Sequence, residues 1–152
     1  MLGFQTTRTV QRRLIGAAIT AALLAGGMAP GCARDAKGEQ STRILRITER
    51  DFKITAPRVV RAGEFELRSR NRGPDDHELI IVRHDKGRLP MRSDGITIDE
   101  DALQRQEVGT LEPFAPRTVD MLHVELTPGR YVLFCNMAGH FLAGMHITLV
   151  VR

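Results

Sequence analysis

Three side chains that bind metals follow one another near the C-terminus of this 152-residue chain. They are Cys135, His140 and Met145, and four residues separate each from the next. A thiolate and a thioether are soft ligands that hold Cu(I), whereas imidazole binds both oxidation states of copper. Gly139 and Gly144 permit the tight turns that a short ligand loop needs. This donor set favours a mononuclear copper site over an ordinary buried thiol.

A trigonal blue-copper site needs a second histidine, and four other histidines in the chain are candidates. His77 is preferred because the turn at 71–73 precedes it and an apolar strand follows it. His84 lies beyond the far end of that strand, and His123 falls in the middle of another strand. His146 adjoins the methionine, so strand alternation turns it away from whatever the methionine faces.

The residues around these candidates resemble the cupredoxin (type 1 blue copper) family. The resemblance rests on Asn-x-Gly-x-x-x-His-Glu-Leu at 71–79, Gly-x-Tyr-x-x-x-Cys at 129–135 and the Cys/His/Met loop. It covers 43–152. The spacing Cys-x4-His-x4-Met is closer to the rusticyanin and sulfocyanin branches than to plastocyanin, in which Cys and His are nearer together.

The resemblance implies a ligand set and one departure from it. His77, Cys135 and His140 would be the strong ligands, with Met145 as the weak axial one. Plant plastocyanins and azurins carry Asn directly after the first histidine, whereas this chain has Glu78. The role of that Asn is therefore not carried over. A second polar residue, Asn136, follows the cysteine, and we expect it either to tie the two ligand loops together or to form a turn.

The leading expectation for function is one-electron transfer by a single type 1 copper ion, without enzymatic activity. Redox protein partners would dock near His140, where apolar residues flank the ligand. The alternative is a protein that stores or delivers copper in the cell envelope. A third possibility is a zinc-filled or metal-free interaction module, although a thioether is a poor zinc ligand.

The fold class predicted is all-β, a Greek-key β-sandwich with a partly helical insertion. Short apolar alternations separated by turn residues support this; they lie at 44–47, 65–68, 79–82, 119–126, 131–134 and 147–151. The segment 85–116 interrupts the pattern, and we expect it to cross the edge of the sandwich and cover core or a sheet edge. Within it, a helix is predicted over 99–106, capped by Asp99 or Thr97. Tyr131 resembles the tyrosine corner of such sandwiches, a structural role.

The N-terminal residues predict export from the cytoplasm. Residues 1–31 combine three arginines, a short apolar run and small residues, as in a signal peptide. The sequence before Cys32 resembles a bacterial lipobox, which implies lipidation of that cysteine; a free N-terminal cysteine is the other interpretation. A disulfide between Cys32 and Cys135 is permitted by the compartment but not favoured. Residues 32–42 are predicted to be a flexible tether, and 43–152 the copper domain.

The net charge of the mature chain bears on which partners it can bind. The chain has 22 Lys+Arg and 18 Asp+Glu, a net charge of +4. The signal holds three of these arginines and no acids, which leaves +1 on the mature chain, so nucleic-acid binding is not expected. We expect a periplasmic or cell-surface monomer that contacts a membrane only through a lipid on Cys32.

Overall fold

The computed structural model describes residues 42–152, in which strands alternate with short turns. The strands are β1 Arg43–Arg50, β2 Lys53–Thr55, β3 Val59–Val60, β4 Gly63–Asn71, β5 His77–Arg83, β6 Glu107–Phe114, β7 Val119–Leu126, β8 Gly129–Phe134 and β9 His146–Val151. A short helix, α1, spans Glu100–Leu103. The predicted signal at 1–31 and Cys32 lie outside the described residues and stay predictions. Along 42–152, no helix has the length and apolar character of a membrane span.

The strands form two mixed sheets. The four-stranded sheet has the order β2-β1-β4-β7, and the five-stranded sheet has the order β3-β9-β8-β5-β6. Strand β1 runs parallel to β4 and β3 runs parallel to β9, while the other pairs are antiparallel. The predicted all-β sandwich is therefore confirmed.

The core lies between the sheets because apolar side chains alternate inward along each strand. Leu45 and Ile47 of β1 pack in one cluster with Leu67 of β4 and with residues of β5, β8 and β9. Farther along β1 and β4, the inward positions change from apolar to polar, at Glu49 and Ser69, and both side chains remain fully buried. Buried polar groups are thus concentrated at one end of the sandwich.

The insertion at 85–116 covers the outer face of the five-stranded sheet. Leu89, Ile98 and Leu103 of the insertion pack in a second cluster with sheet residues, which are Ile80, Val82, Val132 and Phe134. The segment was expected to cross an edge, but its second half instead becomes the edge strand β6. Pro113 is tolerated there because an edge strand leaves some of its backbone unpaired.

The predicted helix in the insertion exists but is shorter than expected. It ends at Leu103 rather than at residue 106, and Gln106 N donates to Leu103 O at 2.7 Å in the turn that follows. Of the two candidate caps, Asp99 is the one used, since its side chain accepts a hydrogen bond from Ala102 N at 3.3 Å.

The tyrosine corner is confirmed. Tyr131 is buried, and its hydroxyl donates to the carbonyl oxygen of Thr127 at 2.8 Å. Tyr131 lies near the start of β8, whereas Cys135 follows the end of that strand. The tyrosine therefore braces the sandwich at the end remote from the cysteine, which agrees with a structural role.

Candidate metal centre

Three of the four predicted ligands meet at the polar end of the sandwich. His77 is the first residue of β5, and Cys135 directly follows β8. Because these two strands are antiparallel neighbours, the start of one lies beside the end of the other. His140 joins them from the following loop, and the ligand atoms of the three side chains all lie within 4.8 Å of one another.

Backbone hydrogen bonds close the loop that carries Cys135 and His140. Cys135 N donates to Met145 O at 3.1 Å, and Met145 N donates to His140 O at 3.0 Å. Gly139 and Gly144 have φ of 81° and 100°, a region that side chains with a Cβ rarely adopt. The two glycines thus let the loop return to the sheet within a few residues, as the spacing predicted.

Met145, the predicted axial ligand, ends the ligand loop directly before β9. Its side chain is fully buried in the same apolar cluster as Cys135. Its neighbour His146 is exposed and stacks on Phe141, with ring centroids 4.6 Å apart. Alternation therefore separates the two side chains as expected, and axial ligation by Met145 stays a prediction.

The rival histidines lie away from the cluster. His84 Nδ1 lies 3.3 Å from Gln106 Oε1, beside the insertion. His123 lies on β7 of the other sheet, with its side chain 73% exposed and its Nε2 4.0 Å from Glu66 Oε2. The structure thus brings His77, and neither of these two, to Cys135 and His140.

Burial sets the protonation of the metal-free site. Burial raises the pKa of the Cys135 thiol to about 11, although hydrogen bonds from the backbone N–H groups of Glu78 and Met137 oppose the rise. Burial, followed by the charge of His140, lowers the pKa of His77. A neutral thiol and a neutral imidazole therefore face each other at neutral pH, and a metal ion has to displace the thiol proton.

The residues fit a bound metal ion. Both ring nitrogens of His77 are buried and lack a hydrogen-bond partner in the described part of the chain. Buried polar atoms are nearly always paired, so an orphaned imidazole beside a thiol and a second imidazole suggests a missing ligand. Two imidazoles and one thiolate form the trigonal ligand set of a blue-copper site, and such sites also have a weak axial ligand, often a thioether.

Glu78 ties the two ligand-bearing segments together. Its Oε1 accepts a hydrogen bond from the backbone N–H of Asn136 at 3.0 Å, so it links the neighbours of His77 and Cys135. Burial, and next the charge of Glu100, raises the pKa of Glu78. The sequence departure at this position therefore has a clear structural role.

Asn136 joins the two ligand-bearing segments through its backbone N–H, and its side chain has a different role. It binds the insertion rather than the first ligand loop: Oδ1 accepts from Ile98 N at 2.6 Å, and Nδ2 donates to Ile98 O at 3.1 Å and to Glu100 Oε1 at 2.6 Å. Only its backbone N–H reaches the first ligand loop. The insertion thus holds Asn136, the residue that follows Cys135, in place.

Two residues that contact the candidate ligands were missed by sequence reasoning, and both lie in the turn between β1 and β2. Phe52 contacts His140 edge-on, with ring centroids 5.3 Å apart and an interplanar angle of 86°. Its φ of 58° is uncommon for a bulky residue and marks a constrained turn. Asp51 Oδ1 lies 3.4 Å from His77 Nε2. The only sequence signal was an aspartate at a turn, which is common and not specific.

The Asn-x-Gly motif before His77 has two structural functions. Asn71 braces the segment, since its Oδ1 accepts from Gly73 N at 2.9 Å and its Nδ2 donates to Phe114 O at 3.1 Å. Gly73 makes space: a Cβ there would lie 2.7 Å from His77 Nε2 and would also overlap Asp51 Oδ1. A side chain at this position would therefore push the aspartate and the histidine apart.

Comparisons with known proteins agree on the fold. No family model and no curated protein sequence matches the chain. Among solved structures, reduced auracyanin from Roseiflexus castenholzii is similar, with a TM-score of 0.55 and 18% identity over 74% of this chain and 98% of that one. Auracyanin A from Chloroflexus aurantiacus, a "blue" copper protein, has a TM-score of 0.53 and 16% identity, and the match covers 72% of this chain and 98% of auracyanin A. Rusticyanin from Thiobacillus ferrooxidans has a TM-score of 0.52 and 14% identity, and the match covers 74% of this chain and 79% of rusticyanin.

These similarities define the class of fold. Auracyanin and rusticyanin are cupredoxins, and the two mixed sheets of this chain match that β-sandwich. The chain has the cupredoxin fold, and its His77/Cys135/His140 cluster fits a type 1 copper site.

Proposed function

We propose that the protein is a mononuclear type 1 copper protein that carries single electrons between redox partners and has no enzymatic activity. The observation that supports this most strongly is the cluster of His77, Cys135 and His140, whose ligand atoms lie within 4.8 Å of one another at the end of a cupredoxin-type sandwich. One copper ion bound there would cycle between Cu(II) and Cu(I), with Met145 as a weak axial ligand.

The chain holds its ligands with little freedom to move. Cys135 and His77 are fully buried, and Cys135 Sγ lies 3.4 Å from His140 Nδ1. Glu78 joins the two ligand-bearing segments, and the insertion holds Asn136. Such outer contacts orient metal ligands and tune their electronic properties. A site that is held in this way changes little between oxidation states, as electron transfer requires.

The surface beside His140 suits a redox partner. His140 is partly buried, and two large apolar side chains near it are exposed, Phe52 at 46% and Leu142 at 58%. Apolar side chains exposed in a patch are typical of protein interaction sites. We propose that redox proteins dock there, next to the ligand that is nearest to the solvent.

The remaining parts of the proposal concern location and assembly. The predicted signal at 1–31 supports export to the periplasm or cell surface, and the lipobox-like sequence supports a lipid anchor at Cys32. The mature net charge near zero supports the absence of nucleic-acid partners, and we propose a monomer.

A second candidate function is copper storage or delivery in the envelope. The observation that favours it is the position of His140, which is partly exposed at the surface and would let copper leave toward an acceptor. Rapid transfer of Cu(I) to a metal-free acceptor, with negligible electron self-exchange, would support delivery and contradict the electron carrier.

A titration of the mature protein with Cu(II), followed by ultraviolet–visible absorption, tests the copper site. A thiolate bound to Cu(II) in a trigonal site should give an intense visible charge-transfer band that saturates at one copper per chain. Cys135→Ser should abolish this band and leave the sandwich folded, whereas Cys32→Ser should leave the band intact. A colourless Cu(II) complex, or colour that survives Cys135→Ser, would end the type 1 assignment.

A further inference from the structure

Two buried polar atoms face each other behind the first histidine ligand. Asp51 Oδ1 and His77 Nε2 lie 3.4 Å apart, and in the described part of the chain neither has a hydrogen-bond partner. Their separation is slightly longer than a usual N–H···O hydrogen bond, so a small approach of the carboxylate would form one. The histidine side chain is fully buried, so water cannot readily replace the missing partner.

The chain makes room for this approach at one position. A Cβ on Gly73 would lie 2.7 Å from His77 Nε2 and would overlap Asp51 Oδ1. A glycine that removes a steric barrier between a carboxylate and an imidazole suggests that their approach is a feature of the site. The carboxylate also reaches His77 from a different segment, the turn between β1 and β2.

The position of Asp51 distinguishes the two ring nitrogens of His77. Nε2 faces the carboxylate, so a proton on Nε2 has an acceptor there. In the neutral imidazole only one nitrogen carries a proton, and the other keeps its lone pair. With the proton on Nε2, the lone pair is on Nδ1, which is then free to bind a metal ion.

We propose that Asp51 is a positioning residue for the copper ligand His77: its carboxylate accepts the Nε2 proton and holds the tautomer in which Nδ1 binds the metal. This inference rests on the proposed copper function. A carboxylate behind a metal-bound histidine fixes the ring orientation and raises the basicity of the ligand. Its negative charge also stabilises Cu(II) relative to Cu(I), which lowers the midpoint potential.

The first experiment uses the metal-free protein and is independent of copper. Nuclear magnetic resonance of protein labelled with ¹⁵N in histidine, at pH 8, reports which His77 nitrogen carries the proton. Wild type should show the proton on Nε2, and Asp51→Ala should show a mixture of tautomers. Asp51→Asn should keep the wild-type tautomer, because its side-chain oxygen still accepts a hydrogen bond. A wild-type tautomer in Asp51→Ala would overturn the proposal.

The second experiment measures Cu(II) affinity and midpoint potential. Loss of the partner of a metal-bound histidine typically lowers metal affinity by roughly 10- to 100-fold. We expect this for Cu(II) in Asp51→Ala, a smaller loss in Asp51→Asn, and a raised potential in both. Asp75→Asn is the matched control, since Asp75 is exposed and acts on His77 only through its charge, which solvent screens.

The outcomes separate the two proposals. If wild type forms no blue copper complex, the proposed function fails, while the tautomer experiment still decides whether Asp51 positions His77. If wild type is blue and the Asp51 variants match Asp75→Asn in affinity and potential, Asp51 is not a positioning residue and the copper function stands.

Discussion

The two regions that supply the candidate ligands are built in different ways. The first is the ligand loop, residues 135–145, which carries Cys135, His140 and Met145 in one short stretch closed by its own backbone hydrogen bonds. The second is the His77 side, which combines the segment 71–77 with the turn at 51–52. A contiguous loop needs only local turns, whereas the His77 side exists only when distant strands have paired.

The two regions also differ in how well their polar groups are paired. In the ligand loop, successive backbone groups donate to and accept from one another. On the His77 side, buried polar atoms lack partners in the described residues; these are both nitrogens of His77, Asp51 Oδ1 and the nearby Glu49 Oε2. Unpaired buried polar groups cost free energy. In the metal-free protein, the His77 side should therefore be the less stable of the two regions. A bound metal ion should add more stability there than in the ligand loop.

The largest effect is expected from removing the distant ligand. His77→Ala should abolish the blue band or change its character, because one of three strong ligands is lost. His84→Ala and His123→Ala are matched controls, since both histidines lie away from the cluster, and both variants should stay blue. Absorption spectra of the copper-loaded variants measure this. If His84 proves essential instead, the His77 side is not part of the site.

A smaller effect concerns stability and pH. Burial raises the pKa of Glu49 from 4.5 to about 7, although a hydrogen bond from Ser69 opposes the rise. Because the folded protein holds this proton more tightly than the unfolded chain, Glu49 contributes stability below about pH 4.5 that is lost as pH rises through 7. The loss corresponds to roughly 3 kcal/mol.

Replacing Glu49 tests whether ionisation of its buried carboxyl destabilises the His77 side. Glu49→Gln cannot ionise, so the metal-free variant should be more stable than wild type at pH 8, by up to roughly 3 kcal/mol, and nearly equal to it at pH 4.5. Urea denaturation at the two pH values measures the difference. Glu64→Gln, at an exposed position of β4, is the control and should show no such pH dependence. An advantage of Glu49→Gln that is equal at both pH values would contradict the assignment.

The smallest structural effect is expected in the ligand loop. Met145→Leu nearly conserves volume in the core, so the free energy of unfolding should change by less than about 1.5 kcal/mol. Copper should stay bound, while loss of the weak axial donor disfavours Cu(II) and raises the midpoint potential. Voltammetry measures the potential. A large loss of copper affinity with little change in the potential of the copper that stays bound would favour a delivery protein over a carrier.

Much of the fold could be predicted because alternation marks strands with an inward face. The six predicted runs all fall within observed strands. Three strands were missed for physical reasons. Two of them, β2 and β3, have three and two residues, too few to show a period. The third, β6, contains Gly109 and Pro113, which normally mark turns and are tolerated here at a sheet edge.

The candidate metal ligands could be predicted from the sequence, but the residues that hold them in place could not. The spacing of Cys135, His140 and Met145 indicated a metal loop, and the turn before His77 selected that histidine. The support from Glu78 was not predicted, because its hydrogen bond to Asn136 joins residues 58 positions apart. The contacts of Asp51 and Phe52 were missed for the same reason.

The sequence by itself determined which atoms are available to a metal ion and how three of them are spaced along one loop. Local chemistry is sufficient there, because a few residues with two glycines can close a turn only in a limited set of ways. The tertiary structure alone decided which side chains stand behind those ligands. Pairing of β5 with β8 brought His77 to Cys135, and the β1–β2 turn placed Asp51 against His77. Such contacts join segments that are distant in the chain, and the residues around each ligand do not specify which distant segment will lie beside them.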